Sequence, residues 1–176
     1  MKKILNLGCG IDYRESTQKI KWVNLDCDRK IKADVYADLE KKLPFKDDTF
    51  EGVYTCHVLE HVSNLIQLMS ELKRVCKNGA IIKIRVPHAS CLVTYQDPTH
   101  VRFFTYMTFD YFTDWSFYDL PKFKIISKHL NYTAERWKFL NYIFNPFINI
   151  CPTYYERLLG WIFPCAELWC KLKVIK

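Results

Sequence analysis

The chain has 176 residues and a mass of 21.1 kDa, with 49% hydrophobic and 26% charged residues. This length fits one domain over residues 1–176, and the balance excludes intrinsic disorder. No apolar stretch reaches the about 18 residues of a spanning helix, and the first residues lack a secretory pattern, so we expect a cytoplasmic protein. The eight cysteines include no C-x-x-C pair, which favours reduced thiols in a core over a disulfide scaffold.

The net charge of +7 is unevenly divided along the chain. Residues 1–120 carry 17 basic and 16 acidic side chains, whereas residues 121–176 carry 9 and 3. The second segment also holds 12 of the 28 aromatic residues. Basic side chains among aromatic ones suit an anionic partner, either a single-stranded nucleic acid or a lipid headgroup surface.

The first half of the chain alternates between strand and helix patterns. Short apolar runs predict strands over residues 2–8, 21–26, 34–37, 51–56 and 80–86. Between the last two, apolar residues at steps of three and four predict a helix from an N-cap at Ser63 to a stop at Lys77-Asn78-Gly79. This alternation predicts a parallel sheet with ligands bound at the carboxyl ends of its strands.

The second half of the chain does not continue this alternation of strand and helix patterns. Residues 88–121 are polar, aromatic and only weakly periodic. Residues 123–132 and 166–175 alternate as strands do, and we expect them to pair as an antiparallel hairpin. The apolar, basic segment between them, residues 137–164, is broken by prolines and predicts two short helices inserted before the last strand.

Glycine and acidic residues follow the predicted strands. Gly8 and Gly10 form a tight turn after the first strand, where a backbone can approach a ligand closely. Asp26 ends the second strand sixteen residues after Gly10, and a carboxylate there can accept both ribose hydroxyls of a nucleotide. Asp38-Leu39 follows the third strand and could bracket an adenine.

Six blocks, in this order and spacing, resemble the class I S-adenosylmethionine-dependent methyltransferases, and more closely their methyltransferase type 11 branch. The blocks are NLGCG, WVNLD, DVYADL, LPFKDDTFEGVYTCHVLEHV, LKRVCKNGAIIKIRVP and DPTHVRFFT, within residues 2–132. The resemblance implies an α/β fold, a Rossmann-like seven-stranded mixed sheet that is mostly parallel with its last strand antiparallel. It also implies a cofactor-binding half, residues 1–87, and an acceptor-binding half, residues 88–176.

The resemblance further implies S-adenosylmethionine as cofactor and assigns residues to it. Glycines of the turn would lie under the methionine part, Asp26 would hold the ribose, and Cys56 and His57 would close the methionine end. Asn6 stands where many relatives have an acidic residue, and the short link from Gly10 to the second strand leaves the first helix short or absent. The full predicted set is Asn6, Gly8, Cys9, Gly10, Asp26, Asp38, Leu39, Cys56 and His57.

Methyl transfer is an in-line displacement, so alignment supplies much of the acceleration, and a base is needed only for a hydroxyl or a protonated amine. We predict His100 as that base, with His57 and Asp97 as further catalytic candidates. His61, His88 and Arg102 are the predicted acceptor contacts, with Arg102 holding an anionic or carbonyl group. An Asp97–Arg102 ion pair that only orders the loop is the alternative.

The segment His57-Val58-Leu59-Glu60-His61 also spells the H-x-x-E-H signature of zinc proteases. Two histidines on one helical face could bind zinc with Glu60 as general base, and Asp97 or His100 as third ligand. We expect no metal, because the segment follows a strand of a nucleotide-type sheet and the resemblance already explains it.

The sequence therefore predicts a methyltransferase acting on a small-molecule, sugar or lipid-linked acceptor. The alternatives are an RNA methyltransferase, a non-catalytic cofactor-binding or membrane-docking protein, and a zinc hydrolase. The insertion at residues 137–164 has four interpretations: core or lid, peripheral membrane contact, a homodimer seam, or a nucleic-acid surface.

Overall fold

The computed structural model describes residues 1–134 and 137–176. Its seven strands are β1 (Lys2–Leu7), β2 (Ile20–Asp26), β3 (Val35–Tyr36), β4 (Phe50–Cys56), β5 (Cys76–Pro87), β6 (Phe123–Asn131) and β7 (Glu167–Val174). They form one sheet in the order β3-β2-β1-β4-β5-β7-β6. β1 to β5 run parallel, and β7 is antiparallel to both β5 and β6. The predicted seven-stranded mixed sheet is confirmed.

The helix α1 (Leu65–Val75) covers one face of the sheet. Its periodic apolar side chains are buried, as the sequence predicts. Asn64 is the N-cap, because its side chain accepts a hydrogen bond from the Gln67 N–H at 3.1 Å. The predicted cap Ser63 is wrong by one residue, and the backbone N–H groups of Ser63 and Asn64 both donate to the Glu40 carboxylate. The helix also ends earlier than predicted, and β5 begins directly at Cys76, opposite Phe50 of β4.

No helix joins β1 to β2 in the described chain, as the short link predicts. Polar side chains hold this connection instead. The Asn6 side chain donates to the Asp12 carbonyl at 2.7 Å and to Asn24 Oδ1 at 3.0 Å. Asn24 Oδ1 also accepts the Arg14 N–H at 2.9 Å.

The remaining helices are short and lie in the second half. They are α2 (Val93–Gln96), α3 (Leu140–Ile148), α4 (Pro152–Leu158) and the 3-10 helix Thr108–Phe112, and a further 3-10 helix, Leu59–His61, precedes α1. The two predicted helices before the last strand are thus α3 and α4. Among the helices of residues 1–134 and 137–176, none is long and apolar enough to cross a membrane.

One hydrophobic core draws side chains from both halves of the chain. It includes Leu5 and Leu25 from the parallel strands, Phe104 and Phe109 from the segment after β5, and Leu172 from β7. Among the described residues all eight cysteines are free, and Cys9, Cys76, Cys165 and Cys170 are buried. The expectation of reduced thiols filling the core holds for these four.

Candidate active site

The turn after β1 requires glycine for two different reasons. Gly8 and Gly10 both have positive φ, +64° and +49°, which favours glycine over any residue with a side chain. A Cβ on Gly8 would lie 2.4 Å from Cγ2 of Val58, whereas a Cβ on Gly10 would meet nothing within 4 Å. Gly8 therefore allows close packing on the segment after β4, and Gly10 borders open space.

A cleft of about 320 Å³ opens beside this turn, at the carboxyl ends of the parallel strands. Asp26 is buried at its edge, where Oδ2 accepts the Gly10 N–H at 2.8 Å and Oδ1 accepts the Asp28 N–H at 3.0 Å. The sequence predicted seven of the lining residues: Gly8, Gly10, Asp26, Asp38, Leu39, His57 and His61. It missed Cys27, Glu40, Val58 and Val62, which show no motif of their own.

Three predicted cofactor residues lie away from this cleft. The Asn6 amide is buried and is used to hold Asp12 and Asn24, so it fixes the turn. The buried thiol of Cys9 contacts the Lys32 carbonyl at 3.6 Å, and burial raises its pKa to about 11. Cys56 does not line the cleft either. The structure does not bring these three side chains to the place that the resemblance implies for them.

His57 stands between two glutamates. Its Nε2 lies 2.7 Å from Oε1 of Glu167, and its Nδ1 lies 3.3 Å from Oε1 of Glu60. The hydrogen bond with Glu167, and then the neighbouring Glu60 carboxylate, raises the pKa of His57 to about 10. The imidazole is therefore cationic at neutral pH and cannot accept a proton, which removes it as a general base.

Glu167 on β7 is a neighbour of His57 that the sequence did not allow us to predict. It is buried, and its carboxylate also accepts two hydrogen bonds from Arg85, at 2.8 and 3.0 Å, and one from the Trp169 indole at 2.6 Å. Burial alone would raise its pKa, but the hydrogen bonds from His57, Trp169 and Arg85 lower it to about 2. This charged cluster joins β5 and β7 to the wall of the cleft.

The loop at residues 97–102 docks onto the HVLEH segment. The backbone N–H groups of Val101 and Arg102 both donate to the Glu60 carbonyl, at 2.9 and 3.2 Å. The Arg102 guanidinium donates to the carbonyls of Val62, at 2.8 Å, and Ser63. Arg102 thus ties the loop down rather than facing an acceptor. In the described chain Arg102 forms no ion pair with Asp97. The alternative interpretation, an Asp97–Arg102 ion pair that orders the loop, is therefore wrong about the partner of Arg102, which binds backbone carbonyls instead.

The same loop brings three predicted residues together. Thr99 Oγ1 lies 2.6 Å from Oδ1 of Asp97 and 2.9 Å from Nδ1 of His61. His100 packs against His61 with ring centroids 4.7 Å apart, but only 5% of its side chain is exposed. His61 faces the cleft, whereas His100 does not line it. Burial therefore disfavours His100 as the predicted base.

Comparison with known proteins agrees with this geometry. Residues 5–84 match the family described as "Methyltransferase domain". The matched segment, 80 of the 176 residues, runs from β1 into β5. A curated relative, an uncharacterized protein of Methanocaldococcus jannaschii, is 30% identical over 102 residues, 51% of this chain and 43% of that protein. The match thus spans less than half of the relative's length.

Solved structures share the fold of this chain. A methyltransferase of Archaeoglobus fulgidus is 18% identical with a TM-score of 0.66, covering 98% of this chain and 86% of that one. A methyltransferase of Mesorhizobium loti is 14% identical with a TM-score of 0.61, covering 98% and 90%.

Solved structures similar to this chain include methyltransferases that depend on S-adenosylmethionine, and the cleft suits that cofactor. The carboxylate of Asp26 is the acceptor that ribose hydroxyls need, and the charges of Asp26 and Asp38 favour a cationic sulfonium. The empty space beside Gly10 leaves the backbone open to close approach. The side chains and backbone that line the cleft therefore fit S-adenosylmethionine.

His88 lies outside the cleft. It is buried, with Nε2 2.7 Å from Oε1 of Glu156 and Nδ1 2.8 Å from Oγ of Ser90. Glu156 also accepts the Tyr106 N–H. His88 therefore anchors α4 to the end of β5, and the structure does not place it as an acceptor contact.

Proposed function

We propose that the chain transfers a methyl group from S-adenosylmethionine in the cleft to an acceptor beside His61. The observation that carries this proposal is the glycine turn and the acid-lined cleft at the carboxyl ends of β1 and β2, with His61 on the wall. When bound, the cofactor supplies an electrophilic methyl group. The chain itself contributes alignment of the two reactants, which supplies much of the acceleration in such displacements.

Each cleft residue has a part in this proposal. Asp26 holds the ribose hydroxyls, Asp38 and Leu39 border the adenine, and the glycine turn lies under the methionine part. His61 faces the acceptor, and Asp97 acts as a positioning residue because it holds His61 through Thr99. The cationic His57 completes the wall between Glu60 and Glu167.

We expect Asp26→Asn to weaken binding of S-adenosylhomocysteine about 10- to 100-fold, because hydrogen bonds to a charged group contribute about 1.5–3 kcal/mol. Calorimetric titration measures this. Asp28→Asn is the matched control, since Asp28 lies two residues further on, is exposed and does not line the cleft. Failure of the unsubstituted chain to bind would contradict the proposed function. Equal binding by Asp26→Asn would contradict only the ribose assignment.

The acceptor is, on this proposal, a small or sugar-bearing molecule presented at a lipid surface. Thirteen of the 28 large hydrophobic side chains that are exposed in the described chain lie in residues 137–163, which we call the apolar hairpin. They include Tyr142, Phe147, Ile150 and Trp161. Seven of the thirteen, Phe147 and Ile150 among them, line a groove of about 450 Å³ between α3 and α4. An exposed apolar surface of this kind marks an interaction site.

Charge favours an anionic bilayer as the partner of the apolar hairpin. Its charged residues are Lys138, Glu156 and Arg157. Both basic side chains are exposed, whereas Glu156 turns inward to His88. Aromatic and aliphatic side chains with basic neighbours are typical of segments that lie in the headgroup region.

The apolar hairpin is connected to the candidate site. Trp161 lies near Tyr95 with ring centroids 6.5 Å apart, and Tyr95 stacks on Phe103 at 5.0 Å. Phe103 directly follows the loop at residues 97–102 that carries His100. This strip of aromatic rings supports an acceptor whose apolar part remains in the lipid while its polar part reaches His61.

We expect the chain to co-sediment with vesicles of phosphatidylcholine and phosphatidylglycerol in equal amounts, and more weakly with phosphatidylcholine alone. Trp161→Ser with Ile162→Ser should reduce binding at least about tenfold, since each buried apolar side chain contributes about 1.5–3 kcal/mol. Phe117→Ser is the control, because Phe117 is 88% exposed outside the apolar hairpin. A stable dimer that binds neither vesicle would overturn the lipid assignment, and a salt-sensitive RNA complex would do the same.

A further inference from the structure

Three potential metal ligands meet beneath the wall of the cleft. Glu60, His61 and His100 each offer one ligand atom, and these atoms lie within 4.8 Å of one another. Two of the residues belong to the HVLEH segment and the third to the loop at residues 97–102. One carboxylate and two imidazoles form a donor set that suits divalent first-row transition metals.

The environment of the Glu60 carboxylate is a second observation that points to a bound ligand. Its side chain is fully buried, with 0% exposed, and within residues 1–134 and 137–176 neither of its oxygens has a hydrogen-bond partner. His57 Nδ1 lies 3.3 Å from Oε1, at ion-pair distance but without hydrogen-bond geometry. The cationic His57 compensates the charge of Glu60 only from ion-pair distance, and a buried carboxylate is costly unless its oxygens are also hydrogen-bonded or bound to a metal ion.

Hydrogen bonding leaves one nitrogen free on each neighbouring imidazole. The Asp97 carboxylate only accepts, so the Thr99 hydroxyl donates to it and must accept from Nδ1–H of His61. The Thr94 carbonyl also only accepts, so His100 donates to it from Nδ1–H at 3.1 Å. Both histidines therefore keep a lone pair on Nε2. Partners of this kind orient the histidine ligands of metal sites.

The backbone holds the two ligand-bearing segments together. The Glu60 carbonyl accepts the N–H groups of Val101 and Arg102, and the Arg102 guanidinium binds the carbonyls of Val62 and Ser63. These contacts fix the position of His100 relative to Glu60 and His61 before any ligand arrives. The arrangement is thus pre-organised.

We propose that Glu60, His61 and His100 bind a divalent transition-metal ion. Asp97 lies at the edge of this site, with Oδ2 3.8 Å from Nε2 of His100. The site differs from the zinc-protease arrangement that the H-x-x-E-H signature predicts. Residues 59–61 form a 3-10 helix, and His57 turns to Glu167 with a φ of +55°, so His57 and His61 do not share a ligand-binding face.

This site deepens the proposed function and rests on it, because His61 also lines the cofactor cleft. It assigns the acceptor to molecules with a hydroxyl or enol oxygen. Such an oxygen loses its proton to solvent when it binds a divalent cation. The O–CH₃ bond then forms as the S–CH₃ bond breaks, and the anionic oxygen and the cationic sulfonium become a neutral ether and a neutral thioether.

Calorimetric titration of the whole chain with Mn²⁺ tests the site, because Mn²⁺ favours oxygen and nitrogen donors over the exposed thiol of Cys27. We expect binding at one site and at least a tenfold loss of affinity in Glu60→Gln, which keeps the size of the side chain. His129→Ala is the control, since His129 is exposed on β6 far along the sheet from the site. His100→Ala provides a second ligand variant, with circular dichroism confirming that each variant folds.

The outcomes separate this proposal from the proposed function. Absence of Mn²⁺ binding by the unsubstituted chain overturns the metal site. Binding by Glu60→Gln and His100→Ala that is as tight as binding by the unsubstituted chain overturns it too. A parallel titration with S-adenosylhomocysteine reports on the cofactor cleft alone. Cofactor binding without Mn²⁺ binding would overturn the metal site and leave the proposed function standing. Mn²⁺ binding without cofactor binding would contradict the proposed function and, with it, the acceptor chemistry assigned to the metal site.

Discussion

Replacing Glu167 with alanine is expected to lower the free energy of unfolding by about 3 kcal/mol, because it removes one partner of a buried ion pair. The Glu167 side chain is buried, and its carboxylate accepts hydrogen bonds from Arg85, His57 and Trp169. Without it, two cationic groups and an indole N–H lose their acceptor at once. Arg85 remains partly exposed, which keeps the loss at the lower end of the range for buried pairs.

Urea unfolding followed by circular dichroism measures this change. Glu15→Ala is the matched control, because the Lys32–Glu15 pair is largely exposed and such pairs contribute at most about 1 kcal/mol. Equal effects of the two substitutions would show that the Glu167 cluster does not stabilise the fold.

The same cluster predicts a dependence on pH. The pKa of Glu167 falls from its ordinary 4.5 to about 2, so its contribution to stability is present above pH 4.5 and is lost as the pH falls towards 2. Glu167→Gln should lack this part of the acid sensitivity. If the unsubstituted chain and Glu167→Gln lost stability in parallel over this range, the assignment would be wrong.

The substitution Gly8→Ala is expected to destabilise the fold by about 2–5 kcal/mol and to abolish cofactor binding. The positive φ costs about 1–2 kcal/mol with a side chain. The new methyl group would also lie 2.4 Å from Val58, and overpacking of this kind costs about 1–3 kcal/mol. Because Val58 lines the cleft, any shift that relieves the contact changes the shape of the cleft.

Gly10→Ala is the control for this prediction, because Gly10 has a similar φ but no atom within 4 Å of the added Cβ. It should cost only the backbone contribution of about 1–2 kcal/mol. The double substitution Gly8→Ala with Val58→Ala should recover part of the loss by removing the contact. Thermal unfolding distinguishes these variants, and equal losses in Gly8→Ala and Gly10→Ala would contradict the packing argument.

The positions of the strands along the chain and the position of the cleft were predictable because both depend on local patterns. Apolar runs locate the parallel strands, and Gly8, Gly10, Asp26 and Asp38 follow their ends, where the topology of a parallel sheet brings them together. Seven of the predicted residues therefore line one cleft, although nothing local marks Glu40 or Val62 as their neighbours.

The roles of the histidines could not be predicted, because they depend on partners far along the chain. His57 meets Glu167 across 110 positions, and His88 meets Glu156 across 68. Each pairing changes the chemistry of the imidazole, making His57 cationic and using His88 to anchor a helix. Arg102 was misassigned for the same reason, since backbone carbonyls that bind it carry no signal in the sequence.

The position of β7 between β5 and β6 has a consequence for folding during synthesis. In the described chain β6 has β7 as its sheet neighbour, yet the apolar hairpin is made before β7. Until β7 emerges from the ribosome, the edges of β5 and β6 that pair with it are open, and the apolar hairpin is exposed beside them. Unpaired edges and exposed apolar segments promote aggregation, so the nascent chain passes through an interval in which a chaperone or an early lipid contact would protect it.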